Sequence, residues 1–213
     1  RRLVDTYPNS EFRYQAKLGI GDSFLGENRI ESLVLAANEF REFLTFFPLH
    51  ERAPYAQFRL AVAEMRQMLG PRRDQTATRA ALKEFDVFLQ NYPNSPLRPE
   101  VEKERRVVRD RLSESEFLVG RFHFKNRLYA GAVGRLLPLL TEDPGYSGKD
   151  GVYFYLAETY YKVGSQAEAV RNAGYDGFAA RQAEARKQGR YIGIGIANYV
   201  EGKIGRASCR ERV

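Results

Sequence analysis

The stretch "ALKEFDVFLQNYP", residues 81–93, places a small residue at Ala81, aromatic rings four and seven positions later at Phe85 and Phe88, and a proline at Pro93. At 3.6 residues per turn these three side chains share one face of a helix: a point of close approach followed by a bulky apolar stripe. Proline then withdraws an amide donor and ends the helix. The same offsets of 4, 7 and 12 recur in Ala36, Phe40, Phe43 and Pro48, and again in Ala132, Leu136, Leu139 and Pro144. A further proline, Pro8, lies in "YPNS" at 7–10, which is repeated in "NYPNS" at 91–95.

The segments ahead of these helices also repeat. "VGRFHFKNRLYAGAV" at 119–133 aligns without gaps to "LAETYYKVGSQAEAV" at 156–170. Small residues match at Gly120 and Ala157, ring-bearing pairs at His123-Phe124 and Tyr160-Tyr161, lysines at Lys125 and Lys162, and alanines at Ala132 and Ala169. Paired antiparallel helices, in which a small residue on helix A admits helix B and aromatics fill the space between, form the tetratricopeptide pattern. An all-α tetratricopeptide solenoid is therefore expected over residues 1–170. The proline spacings of 40, 45 and 51 exceed the usual repeat of about 34 residues. Insertions are expected in the turns "GENRIES" and "GPRRDQTATR" and in a lengthened helix A spanning "PEVEKERRVVRDRLSESEFLVGRF".

Composition narrows the function. Apolar residues make up 43% of the 213, enough for a core, and no run approaches the roughly 18 apolar residues of a membrane-spanning helix. The net charge of +7 would suggest a polyanionic partner, but residues 1–169 carry only +2 of it and 170–213 carry +5. The body is thus nearly neutral with both signs interspersed, which argues against nucleic acid. The run "EVEKERRVVRDR" reads as a solvated helix face. Disulfides and cysteine zinc sites are excluded from a body without cysteine, and neither His50 nor His123 is accompanied by a ligand cluster. No catalytic, cofactor-binding or metal-binding set emerges. Aromatics on the helix A faces are the better candidates for a binding groove: Tyr14, Phe24, Tyr55 and Phe58, of which up to half are expected to pack inward. The rings Phe40, Phe43, Phe85 and Phe88 are expected in the core.

With the repeats and insertions placed, residues 1 to about 170 resemble the BamD-type outer-membrane assembly lipoproteins. The resemblance is carried by "YPNSEFRYQAKLGIGDSF", "HERAPYAQFRLAVAEM", "RRDQTATRAALKEFDVFLQNYPNSPL" and "EFLVGRFHFKNRLYAGAVGRLLPLL". It implies a non-catalytic scaffold, tethered by a lipidated N-terminal cysteine at the periplasmic face of the outer membrane. Early repeats would bind unfolded barrel segments, and later repeats would dock a periplasmic domain of the barrel-forming partner. Arg135, in "AVGRLLPLL", falls where the family carries a partner-contacting arginine, although Gly134 and Leu136 stand where the family has a polar residue and an aromatic. The resemblance implies that the membrane is reached only through the lipid anchor, which is expected to be missing from this chain. The chain also begins at Arg1 within an expected helix end, so the true amino terminus is expected upstream. The alternative is a periplasmic tetratricopeptide adaptor serving another cell-envelope process.

The pattern stops after Val170. Gly174 and Gly177 break the helix that should follow, each by about 1 kcal/mol relative to alanine. The uncovered face of the last helix A is expected to hold Tyr153, Leu156, Tyr160 and Tyr161. Beyond it, "GFAARQAEARKQG" predicts a short helix and "YIGIGIANYV" a strand. Residues 171–203 resemble a fragment of the large subunit of molybdenum hydroxylases, without any cofactor contact or catalytic glutamate, and a hydroxylase fragment is the remote alternative reading. The closing decapeptide "IGRASCRERV" at 204–213 is encoded without mismatch by ATC GGA AGA GCG TCG TGT AGG GAA AGA GTG, the start of a common sequencing adapter. Cys209 is expected to be adapter-derived, and the chain to be a chimera.

Overall fold

The computed structural model describes residues 12–164 and 178–187. Among them there is no strand, and eight helices follow one another: α1 (Arg13–Glu27), α2 (Ile30–Phe46), α3 (Ala53–Arg66), α4 (Thr76–Asn91), α5 (Arg98–Lys125), α6 (Tyr129–Glu142), α7 (Lys149–Val163) and α8 (Phe178–Lys187). Consecutive helices from α1 through α6 each pack on the next, ending with α7, and α1 also touches α3, as α5 touches α7. This is the helix A and helix B alternation of a solenoid. The short helix expected at 177–189 is present as α8. The strand-like run at 191–200, the glycines 174 and 177, Cys209 and the terminal decapeptide lie outside the described residues.

The prolines act as expected: α2 ends at Phe46 before Pro48, α4 at Asn91 before Pro93, and α6 at Glu142 before Pro144. Pro54 and Pro99 instead open α3 and α5 at their first turns, where a missing amide hydrogen costs nothing. One insertion is accommodated differently from the sequence reading. "GENRIES" is not a long turn, because only Asn28 and Arg29 leave the helices. Asn28 takes the left-handed conformation at φ 53°, which asparagine tolerates. Ser32 then accepts the Arg29 amide at 3.2 Å and donates to its carbonyl at 3.1 Å, starting α2 at once. The second expected insertion is a true loop, residues 67–75. Buried Gln75 organises it by donating to the carbonyls of Gly70 and Arg73, both at 2.9 Å, and accepting from the Thr78 hydroxyl at 2.8 Å. The third is α5 itself, 28 residues long.

The repeated positions form the core. Ala36, Phe40, Phe43, Ala81, Phe85, Phe88, Ala132 and Leu136 are fully buried and Leu139 nearly so. The small residues of the A helices explain why these rings and branches fit. A Cβ on Gly21 would stand 2.8 Å from the Phe40 ring, and one on Gly120 would stand 2.4 Å from a Leu136 methyl and 2.6 Å from its Cγ. Gly120→Val is expected to lower stability by about 1–3 kcal/mol, the usual cost of overpacking, read as a reduced urea midpoint.

Two other expectations are corrected. Leu156 is not on an uncovered face: it is fully buried in the cluster of Phe117, Ala132, Leu136 and Tyr146, and Tyr160 packs against that cluster. Nor is the charged run of α5 simply solvated. Arg105 pairs with Asp86 of α4 at 2.5 Å, Arg109 donates to the Glu142 carbonyl at 3.0 Å, and Arg106 engages Asp110 and Asp143. Several charges in the middle of α5 thus pair with neighbouring helices and turns, while Glu100, Glu102 and Lys103 stay exposed.

Candidate functional site

α1 and α3 are the A helices of adjacent repeats, and their contact assembles a compact polar and aromatic group. Tyr55, near the start of α3, places its hydroxyl 3.0 and 2.9 Å from the two carboxylate oxygens of Asp22 on α1. Arg59, one turn along α3, donates from Nε to the same carboxylate at 2.8 Å. The guanidinium groups of Arg52 and Arg59 lie 5.5 and 5.7 Å from the centre of the Tyr55 ring, within cation–π range. The four-residue spacing puts Tyr55 and Arg59 on one stripe of the helix, and Arg52, the residue just before α3, approaches the same ring. Burial and the bond to Asp22 push the Tyr55 hydroxyl above its ordinary range, so it remains a proton donor to Asp22 through neutral pH.

The expected groove residues fall into two sets. Tyr14, Phe24 and Tyr55 are half-buried, resting on the first core with part of each ring outward. Tyr14 leans on the His50 ring with centroids 4.3 Å apart. Phe58 turns inward: it is 7% exposed and its ring faces Phe85 at 6.4 Å. It can support a groove from beneath but offers little surface to a ligand. Asp22, Arg52 and Arg59 were missed by the sequence reading. Finding them requires setting two A helices side by side, since Asp22 and Arg59 lie 37 positions apart.

Arg135 stands elsewhere, on α6, with its side chain 55% exposed and Nη1 3.3 Å from Glu116 of α5. It lies on the helix that carries Ala132 and Leu136 and is not brought together with the aromatic group. An ion pair this exposed contributes little to folding, about 0–1 kcal/mol, so Arg135 is available to a partner at small cost.

The two histidines have structural surroundings. His50 uses Nδ1 to accept the Arg52 amide at 3.0 Å, fixing the turn before α3. His123 is wedged beside Gly131, whose Cβ would lie 3.0 Å from its Nδ1. Among the described residues no group of histidine, cysteine and carboxylate side chains has the arrangement of a metal site, and no helix is long and apolar enough to cross a membrane.

Successive antiparallel helix pairs, stacked so that each packs on the next, define a helical-repeat solenoid of the tetratricopeptide kind. The chain belongs to the YfiO family of outer membrane lipoproteins, which it matches over residues 1–174. It is 27% identical over 179 residues to the outer membrane protein assembly factor BamD of Caulobacter vibrioides, covering 84% of this chain and 57% of that protein. It is 22% identical to the BamD proteins of Xylella fastidiosa strain 9a5c, covering 79% of this chain and 60% of the relative, and of Vibrio cholerae, covering 76% and 70%. The chain thus spans a little under two thirds of the first two relatives. These relatives are described as assembly factors, in accord with the non-catalytic reading of the sequence.

Proposed function

We propose that the chain is a non-catalytic scaffold in the assembly of outer-membrane β-barrel proteins, working at the periplasmic face of that membrane. The family match across residues 1–174 is the observation that carries this reading. The groove of Tyr14, Phe24 and Tyr55 binds unfolded barrel segments, and Arg135 docks a periplasmic domain of the barrel-forming partner. The local chemistry suits both tasks. An extended segment offers alternating apolar side chains and unsatisfied carbonyls. The half-exposed rings take up the first, and the guanidinium of Arg52, itself exposed, donates to the second. Asp22 holds Tyr55 and Arg59 in place, so little side-chain freedom is lost on binding.

Affinity capture on immobilised periplasmic domains of a barrel-forming partner tests the docking half. The wild-type chain is expected to be retained, and Arg135→Glu to weaken retention at least tenfold, because the reversed charge both removes an attraction and adds a repulsion. Tyr55→Ala is expected to be retained like the wild type. Failure to retain the wild-type chain would count against this assignment and for an adaptor with other partners.

A further inference from the structure

The buried apolar residues fall into two clusters with no common member. The first joins α1 to α4 with the front of α5, through Val101 and Val108. The second joins α6 and α7 with the rear of α5, through Phe117 and the close approach of Gly120 to Leu136. Among the described helices, α5 alone packs extensively against members of both groups. Between Val108 and Phe117 the one buried residue of α5 is Ser113, a hydroxyl.

A polar lock fills that interval. Asp143, 4% exposed in the turn after α6, receives Arg106 Nη1 at 2.7 Å, Arg106 Nη2 at 2.5 Å and the Ser113 hydroxyl at 2.5 Å. Arg106 also reaches Asp110 at 2.7 Å, and Asp110 accepts the Ser147 amide at 3.2 Å. The buried Tyr146 hydroxyl donates to Glu114. Every one of these bonds runs between α5 and the turn after α6, or along α5. The edge of the second lobe is therefore fixed by directional bonds, which are lost together when the turn lifts, and not by an apolar surface shared with the first lobe.

We infer that the protein is two cooperative lobes strung on α5, and that the Arg106–Asp143–Ser113 lock is the latch governing when the α6–α7 lobe opens from α5 while the α1–α4 lobe stays folded. This goes beyond the proposed function and needs no partner to be tested. It gives the molecule a device that places Arg135 and the aromatic groove in separately adjustable bodies. Solenoids with nearest-neighbour contacts permit such partial opening.

Hydrogen exchange of the full chain, followed by mass spectrometry under native conditions, reads the two lobes separately. Asp143→Ala is expected to speed exchange of α6 and α7 amides at least thirtyfold while α2 and α3 amides change less than threefold. Ser113→Ala, which keeps the ion pair and removes one bond, is expected to show the same selectivity at about three- to tenfold, and it reports even if the aspartate variant does not fold. Equal acceleration in both lobes for Ser113→Ala, or no acceleration in α6 and α7, overturns the inference.

Discussion

Phe85→Ala is expected to lower the free energy of unfolding by about 3–5 kcal/mol, the range for deleting a fully buried phenylalanine ring. Phe85 has no exposed surface. It projects from α4 into the first core, where Phe58 of α3 faces it. No neighbour can collapse into the gap without moving a helix, so the cavity cost adds to the lost transfer free energy. A domain of this size has a total stability of about 5–15 kcal/mol, and the loss is a large part of it. Urea titration followed by helical circular dichroism checks the value. Phe85→Leu should lose about 1–2 kcal/mol by keeping most of the volume. Leu49→Ala, at a side chain 98% exposed, should stay within about 0.5 kcal/mol of the wild type. A Phe85→Ala loss no larger than that of Leu49→Ala would place the ring outside the core.

Asp143→Ala is expected to cost about 2–4 kcal/mol at neutral pH. The carboxylate is buried while its partner Arg106 is 38% exposed, so the arginine left behind regains some water and the loss falls short of that for a wholly buried pair. The pH dependence has a definite sign. Burial opposes ionisation of Asp143, but the bonds from Arg106 and Ser113 and the charges of Arg106 and Arg109 prevail and hold its carboxyl below the usual aspartate range. A group whose folded value is depressed adds stability above its unfolded value and loses it as pH falls through the folded one. The gap between wild type and Asp143→Asn should therefore be full at pH 7, begin to close near the ordinary aspartate value of about 4, and vanish at lower pH. A gap that widened on acidification would reverse the assigned role.

The repeat architecture was legible because its information is local. Ala81, Phe85, Phe88 and Pro93 declare a helix, its buried face and its end within 13 residues, and the same spacing elsewhere fixes the packing partners. The latch was not legible. In the sequence Asp143 stands only as the residue before Pro144 and Arg106 only as one charge in "EVEKERRVVRDR", because nothing local joins residues 37 positions apart. The groove was half legible for the same reason. Tyr55 shows itself as an aromatic on an A helix, whereas its dependence on Asp22 appears only when α1 lies against α3. Which of the four aromatics turns inward is not legible, because an aromatic on helix A can turn either way; here Phe58 does, facing the ring of Phe85.

A two-step capture measures the proposed scaffold function most directly. The chain is loaded on immobilised periplasmic domains of the barrel-forming partner, and an unfolded barrel segment is then titrated onto the loaded surface. The wild-type chain should hold both at once. Tyr55→Ala should keep the partner while losing most of the segment, and Arg135→Glu should lose the partner and, with it, the segment on the surface. A wild-type chain that binds neither, or a segment held equally well after Tyr55→Ala, is the opposite result and would remove the groove and docking assignments from this chain.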